Sequence, residues 1–350
     1  MSGKPTLAVL GATGTVGEVL LQTLTHHADV WGEIRLLTHE RGGAGRTLTV
    51  RGEESEVRAL DEDALDGADV ALLLVPEPVA ARWAPIAAAK GAVVVDTSAA
   101  FRGDPDVPLV VPEINACAAR VRPRGIVASP GCATLSLIAA VGALHAEYGL
   151  AELVVTVQQA ASEAGAAGVA ALREQLALVT GSELGTRAGD VRRAVGDRTG
   201  PFPGPLALNV LPWSGEPGPD GWSSDELAVR EETRKILDLP RLRVTATCVR
   251  VPVVTGHSAV VHARFERSVD VGRAHEILAT SPGVVVYDAP ASGDYPTPAD
   301  VVGTDPTWVG RLRRTLDDER GLEFFACGDN LRKGAALNAV QIAELIAADR

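Results

Sequence analysis

Cys132 follows a tight Ser129-Pro130-Gly131 turn and precedes an apolar run with helical spacing, Leu135–Leu144. A thiol at a helix N-terminus has its thiolate favoured by free N–H groups and by the positive end of the helix dipole, which makes a nucleophile at neutral pH. The bland reading is a buried, inert cysteine. Arg250 and His257 form a second constellation, Cys248-Val249-Arg250-Val251-Pro252-Val253-Val254-Thr255-Gly256-His257-Ser258. The strand is expected to end at Pro252 and the chain to turn at Gly256, leaving His257 on a loop as a general acid and base. Arg250 alternates along that strand, and its planar fork suits a carboxylate. A surface histidine and a structural ion pair are the competing readings. A third group is the glycine loop Gly11-Ala12-Thr13-Gly14-Thr15-Val16-Gly17, placed after a strand and opening a helix. Such a loop lets a pyrophosphate approach the backbone at a helix N-terminus; alternatively it is a turn that serves strand–helix packing.

These groups need elements to hold them. In the first half, short apolar runs at Thr6–Leu10, Ile34–Leu37, Val70–Val75, Val93–Asp96 and Ile126–Ala128 alternate with helical Thr15–Leu24 and Pro78–Lys90. Strands joined by helices imply a parallel sheet with crossovers, a Rossmann-type α/β domain. The second half carries Leu153–Gln159, Arg243–Val249, Ala259–Phe265, Val284–Tyr287, Val309–Thr315 and Leu322–Cys327 with fewer helices, chiefly Ser224–Leu237. That pattern predicts a mixed or antiparallel sheet in an α+β domain. The expected division is 1–131 with a C-terminal helix 331–350, and 132–330. The Gly/Pro-rich stretch 199–221 reads as a loop or a subunit-contacting arm.

Composition bounds the partners. The 350 residues carry a net charge of −12, which argues against nucleic acid or an anionic membrane surface but not against a small anion met by clustered arginines. Four cysteines without CxxC spacing point to a reducing, cytoplasmic setting and not to a disulfide framework; no metal is expected. The N-terminus runs directly into a strand, so no signal peptide is expected. The second strand ends Leu36-Leu37-Thr38-His39-Glu40-Arg41, without an acidic residue at the strand end for a ribose 2′-OH. Arg41, with Arg46 nearby, suits the 2′-phosphate of NADP; Glu40 is the residue that opposes this.

Taken together the segments 96–115, Glu232-Thr233-Arg234-Lys235-Ile236-Leu237, Cys248–Ser258 and Asp329-Asn330-Leu331-Arg332-Lys333-Gly334-Ala335-Ala336 resemble the aspartate-β-semialdehyde dehydrogenase family, in family order along nearly the whole chain. The resemblance implies NADPH-dependent reductive dephosphorylation of aspartyl-β-phosphate through a cysteine thioester. It implies a Rossmann domain, a catalytic α+β domain and a homodimer. Carried over by motif, Cys132 is the nucleophile, Gln159 positions the acyl group and His257 handles protons. Arg250 holds the substrate carboxylate, Arg102 the phosphate, and Asp225 falls on a substrate-binding position. Ser162 and Asn330 join Gly11, Thr13, Gly14, Thr15, Val16 and Arg41 on the cofactor side. The departures cluster at the site. Gly131 stands where the family usually has Asn, and Pro-Gly-Cys is similar to N-acetyl-γ-glutamyl-phosphate reductase. Leu74-Val75-Pro76-Glu77 replaces a Ser-Ala-Gly loop. Ser162-Glu163-Ala164-Gly165 replaces Ser-Gly-Ala-Gly, and a Glu-x-x-Lys pair falls on Asp225 and Ala228. Two alternatives stand beside the family activity: a paralogue reducing another acyl phosphate, and a nucleotide-binding regulatory homologue with little catalysis.

Overall fold

The computed structural model describes residues 3–39 and 43–349. The chain divides into two compact units: Met1–Leu135 with Glu231–Pro240 and Arg332–Arg350, and Ser136–Arg230 with Arg241–Leu331. The segment Glu231–Pro240 thus belongs with the first unit, although the expected boundaries put it in the second domain.

The first unit is built on strands β1 (Leu7–Leu10), β2 (Ile34–Thr38), β3 (Thr47–Val50), β4 (Glu53–Ala59), β5 (Val70–Leu73), β6 (Val93–Asp96) and β7 (Ile126–Ala128). They lie in the order β3-β4-β2-β1-β5-β6-β7. All neighbours are parallel except the edge hairpin β3–β4. Strands buried on both faces read as continuous apolar runs, which is why β1 and β5 are legible in the sequence and wholly buried in the fold. The hairpin is not legible. Its second strand reads EESEVRA, with Val57 its one buried side chain, so polarity masks the alternation. The C-terminal helix Leu337–Ala348 starts as a wider π-type turn at Arg332–Ala336, and its Ala339, Val340, Ile342, Ala343 and Ile346 pack into the same core as Leu7, Leu72 and Val95.

The glycine loop leaves β1 at its carboxyl end, beside the switch where the strand order reverses, the position at which open α/β sheets bind ligands. Gly11 has φ +91°, and a Cβ there would sit 2.2 Å from Leu74 O. A Cβ on Gly17 would sit 2.4 Å from Gly11 O, so this glycine lets the helix Thr15–His26 pack against its own loop. Gly14 is the N-cap, and no side chain caps the helix.

The second unit contains β8 (Leu150–Gln159), β9 (Arg243–Arg250), β10 (His257–Phe265), β11 (Val284–Val286), β12 (Thr307–Arg314) and β13 (Gly321–Gly328), ordered β11-β12-β13-β10-β8-β9. The sheet is mixed: β8–β9 and β11–β12 are parallel, the rest antiparallel. It carries more helix than the sequence suggests, with Gly165–Val179 and Val271–Thr280 in addition to Ser224–Ile236. The first of these is alanine-rich, and its weak amphipathic contrast hides it. Among the described residues no helix is long and apolar enough to cross a membrane.

In the first unit Lys333, 3% exposed, pairs with Glu113, 8% exposed, at 2.7 Å, and also bonds Asn338 and Gln341. Lys333→Met strands the Glu113 carboxylate and is expected to cost about 3–5 kcal/mol in denaturant unfolding. Adding Glu113→Gln is expected to restore part of it; a single-variant loss under about 1 kcal/mol contradicts the assignment.

Candidate active site

In the first unit Cys132 opens a helix, but only a one-turn helix. Cys132–Leu135 is separated from Ile138–Tyr148, where a single helix was expected. The break corrects the dipole argument, because one turn sums few peptide dipoles. What remains is the local turn, and it is fixed by a buried carboxylate. Glu232 Oε2 accepts from the Gly131 N–H at 2.9 Å and from the Thr134 hydroxyl. Glu232 Oε1 pairs with Arg102 Nη1 at 3.1 Å. Arg102 also donates through Nε to Ser129 O and through Nη2 to Thr97 O. Its three nitrogens therefore all meet protein acceptors around the cysteine turn, where the resemblance implied a phosphate ligand. The glycine before the cysteine fits this arrangement: a Cβ on Gly131 would lie 2.9 Å from Arg102 Nη1. Lys235 donates to the carbonyls of Arg102, Asp104 and Val107, and burial lowers its pKa. Glu232 and Lys235 therefore hold structure around the turn.

On the cofactor side, Gly11, Gly14, Thr15 and Val16 form the loop described above, and Thr13 Oγ1 lies 3.4 Å from Thr38 Oγ1 at the end of β2. The first N–H groups of a helix have no intrahelical acceptor, so an uncapped glycine-lined helix start fits a pyrophosphate. Arg41, together with Glu40, lies outside the described residues; Arg46 is exposed.

In the second unit β8 and β9, paired Gln159 to Arg250, and the start of β10 bring three expected residues together. His257 is not on a loop. It is the first residue of β10, opposite Gly328, and is wholly buried. Its Nδ1 accepts the Ala160 N–H at 3.2 Å, which requires a lone pair there. The ring is therefore neutral with its proton on Nε2, as assigned from the bonding. That Nε2 lies 3.5 Å from Glu163 Oε2, without hydrogen-bond geometry. Gln159, also wholly buried, donates through Nε2 to Glu163 Oε1 at 3.2 Å and Asp225 Oδ2 at 3.1 Å. Two carboxylate acceptors fix the amide orientation, and Gln159 Oε1 has no hydrogen-bond partner among the described residues. Arg250 Nη1 bonds Glu163 Oε2 at 2.8 Å and Ala160 O at 3.1 Å; Nη2 bonds Ser214 Oγ at 2.6 Å. Ser214 in turn donates to Asp225 Oδ2 at 2.8 Å.

Ser162 and Asn330 bond each other, and Asn330 Oδ1 also accepts the Gly256 N–H at 2.8 Å. Both are buried, so in this structure they latch the loop before β10. Glu163, Ser214 and Glu232 were not read as site residues. Glu163 was visible only as a departure from a glycine, and Ser214 carries no signal within a Gly/Pro-rich stretch.

The comparisons with known proteins agree with one another. Residues 6–121 match the family described as semialdehyde dehydrogenase, NAD binding domain, and residues 141–333 the semialdehyde dehydrogenase, dimerisation domain. The chain is 42% identical to the aspartate-semialdehyde dehydrogenase of Corynebacterium glutamicum, covering 97% of this chain and 99% of the relative. It is 38% identical to that of Aquifex aeolicus, covering 97% of each. Aspartate semialdehyde dehydrogenase II of Vibrio cholerae superposes with a TM-score of 0.90 at 34% identity, covering 99% of both chains.

Thiol reactivity tests the environments of the cysteines. Burial pushes the Cys248 thiol up strongly and the Cys327 thiol to about 11. At pH about 8, roughly a thousandth of Cys327 is thiolate. Native-state alkylation followed by mass spectrometry is expected to label Cys132, which is partly exposed, and the exposed Cys117, and to spare Cys248 and Cys327 until unfolding. Labelling of the two buried thiols at comparable rates contradicts this.

Proposed function

Because the chain belongs to the aspartate-semialdehyde dehydrogenase family, we propose that it reduces L-aspartyl-β-phosphate to L-aspartate-β-semialdehyde and phosphate, with NADPH and with Cys132 as covalent nucleophile. The observation that carries this reading is the family match over nearly the full length; in this chain it is accompanied by the cysteine turn and by Gln159, Arg250 and His257 gathered around Glu163.

The Cys132 thiolate attacks the acyl carbon, the bond to the phosphate oxygen breaks, and a thioester forms. NADPH, when bound, supplies the hydride that reduces the acyl carbon to the aldehyde level. His257 donates a hydrogen bond from Nε2–H to the oxyanion formed when the thioester carbon is reduced, keeping its proton; collapse of that oxyanion then releases aldehyde and the Cys132 thiolate. The family reading gives Arg250 to the substrate carboxylate; in this chain its fork already meets Glu163, and Asp225 is linked to it through Ser214. Arg102 is first a positioning residue for the cysteine turn, with its partly exposed edge left for the phosphate. Gly11, Thr13, Gly14, Thr15 and Val16 would hold the pyrophosphate of NADPH and Arg41 would take its 2′-phosphate, while Ser162 and Asn330 order the loop before β10. The match of 141–333 to a dimerisation domain supports a homodimer. Four free cysteines among the described residues support a cytoplasmic setting.

A reverse-direction assay with L-aspartate-β-semialdehyde, NADP and phosphate tests the reading. Cys132→Ala is expected to lower turnover more than about a hundredfold, as loss of a nucleophile requires, with cofactor affinity nearly intact. Residual activity above that level refutes the nucleophile, and unchanged weak activity favours the regulatory alternative. Calorimetric titration is expected to show NADP binding more tightly than NAD; equal affinity, or tighter NAD, assigns Glu40 to the ribose instead.

A further inference from the structure

Within the second unit the guanidinium of Arg250 already holds a carboxylate. Glu163 Oε2 lies 2.8 Å from Nη1, while Ala160 O and the Ser214 hydroxyl take further donors of the same fork. The same Glu163 accepts from Gln159 Nε2 and stands beside His257 Nε2. Asp225 accepts from Gln159 and Ser214. One guanidinium is therefore bonded to one carboxylate directly and linked to a second through Ser214, and His257 adds no charge in the neutral form its Nδ1 bond requires. Arg250 is only 8% exposed, so its charge cannot rely on water and needs an anion. Glu163 is 22% exposed at its side chain and sits in the short helical turn Ala161–Ala164, so it has a route to solvent.

We infer that Glu163 is a specificity-determining residue that fills the Arg250 fork in place of a substrate carboxylate. A substrate bearing its own carboxylate must displace Glu163 and enter a cluster with surplus negative charge. An acyl phosphate that carries an ammonium group without an adjacent free carboxylate leaves the Glu163–Arg250 pair intact and is attracted by Glu163 and Asp225. The orphan acceptor Gln159 Oε1 offers such an ammonium a further partner. The site therefore favours amino-acyl phosphates that lack the α-carboxylate or have it masked. This inference rests on the acyl-phosphate chemistry proposed above and departs from that reading at one point: L-aspartyl-β-phosphate, with its free carboxylate, becomes the less favoured substrate of that chemistry.

The test compares L-aspartate-β-semialdehyde with 3-aminopropanal, the same aldehyde without its carboxylate, in the reverse direction with NADP and phosphate. Wild type is expected to show a KM for 3-aminopropanal no higher than for L-aspartate-β-semialdehyde. Glu163→Gln removes the competing charge and is expected to lower the KM for L-aspartate-β-semialdehyde about ten- to a hundredfold, the worth of a charge-assisted contact, with a smaller change in kcat. The KM for 3-aminopropanal is expected to stay level or rise. Glu163→Gly serves as a second variant with the same expected direction. A tightening specific to the carboxylate-bearing aldehyde is not the result of merely loosening the loop. An unchanged ratio of the two KM values in both variants overturns the inference. If wild type turns over neither aldehyde, the proposed activity fails. Calorimetric binding of L-2-aminobutyrate, which keeps the carboxylate and ammonium but cannot react, then decides this point alone: tighter binding in Glu163→Gln upholds it, equal binding refutes it.

Discussion

A buried carboxylate must be fully hydrogen-bonded or paired, and in the first unit this requirement shapes the cysteine turn. Glu232 is 4% exposed, and its acceptors are met by the Gly131 N–H, the Thr134 hydroxyl and Arg102. Those three partners stand before, after and beside Cys132. The turn thus keeps its shape because moving it strands a charge in a medium of low polarity. Arg102 is held in turn by the carbonyls of Ser129 and Thr97, at the carboxyl ends of β7 and β6. The strand ends of the parallel sheet are therefore tied to the backbone beside Cys132 through one guanidinium and one carboxylate.

The second unit solves the same problem with the charges reversed. There the buried group is the Arg250 guanidinium, and the sheet register decides what surrounds it. Parallel pairing of β8 and β9 sets Gln159 opposite Arg250, and antiparallel pairing of β10 with β8 sets Ser258 opposite Gln158, placing His257 at the same end of the sheet. A one-residue slip in either pairing turns these side chains to the opposite face. The strands' apolar alternation, with Leu153, Val155 and Val157 buried, is what fixes the register. Core packing and site geometry are here one constraint.

This explains which features the sequence discloses. Strands β1, β5, β6 and β7 were legible because burial on both faces demands unbroken Val, Leu, Ile and Ala, and the glycine loop because only glycine admits φ +91° against the Leu74 carbonyl. The hairpin β3–β4 and the helix Gly165–Val179 were hidden by polar or alanine-rich composition that satisfies several periods equally. Cys132, Gln159, Arg250 and His257 were legible by motif, but their environments were not. A buried His257 and an exposed loop histidine have the same local sequence; the Ala160 N–H that fixes its tautomer comes from the end of β8, almost a hundred positions earlier. Likewise nothing near Arg102 announces that Glu232 is its partner, because that contact joins residues 130 positions apart.

Cysteine activation illustrates why such long-range contacts matter more than the motif. A thiol at the start of a long apolar helix gains from many aligned peptide dipoles; here the helix stops at Leu135 after one turn, and the next begins at Ile138. The macrodipole contribution is therefore small, and it falls off within a turn in any case. Glu232 acts on the turn instead through the Gly131 N–H and the Thr134 hydroxyl. The ion pair of Arg102 with Glu232 then has two functions at once: it holds the turn in shape, and it balances a carboxylate that would otherwise be buried unpaired. Arginine suits both because its planar fork reaches the carboxylate and two carbonyls simultaneously and stays charged at all accessible pH. Lysine in its place would keep the sign and lose the three-way geometry, so the turn's shape and the pairing of its buried carboxylate cannot be tuned separately in this chain.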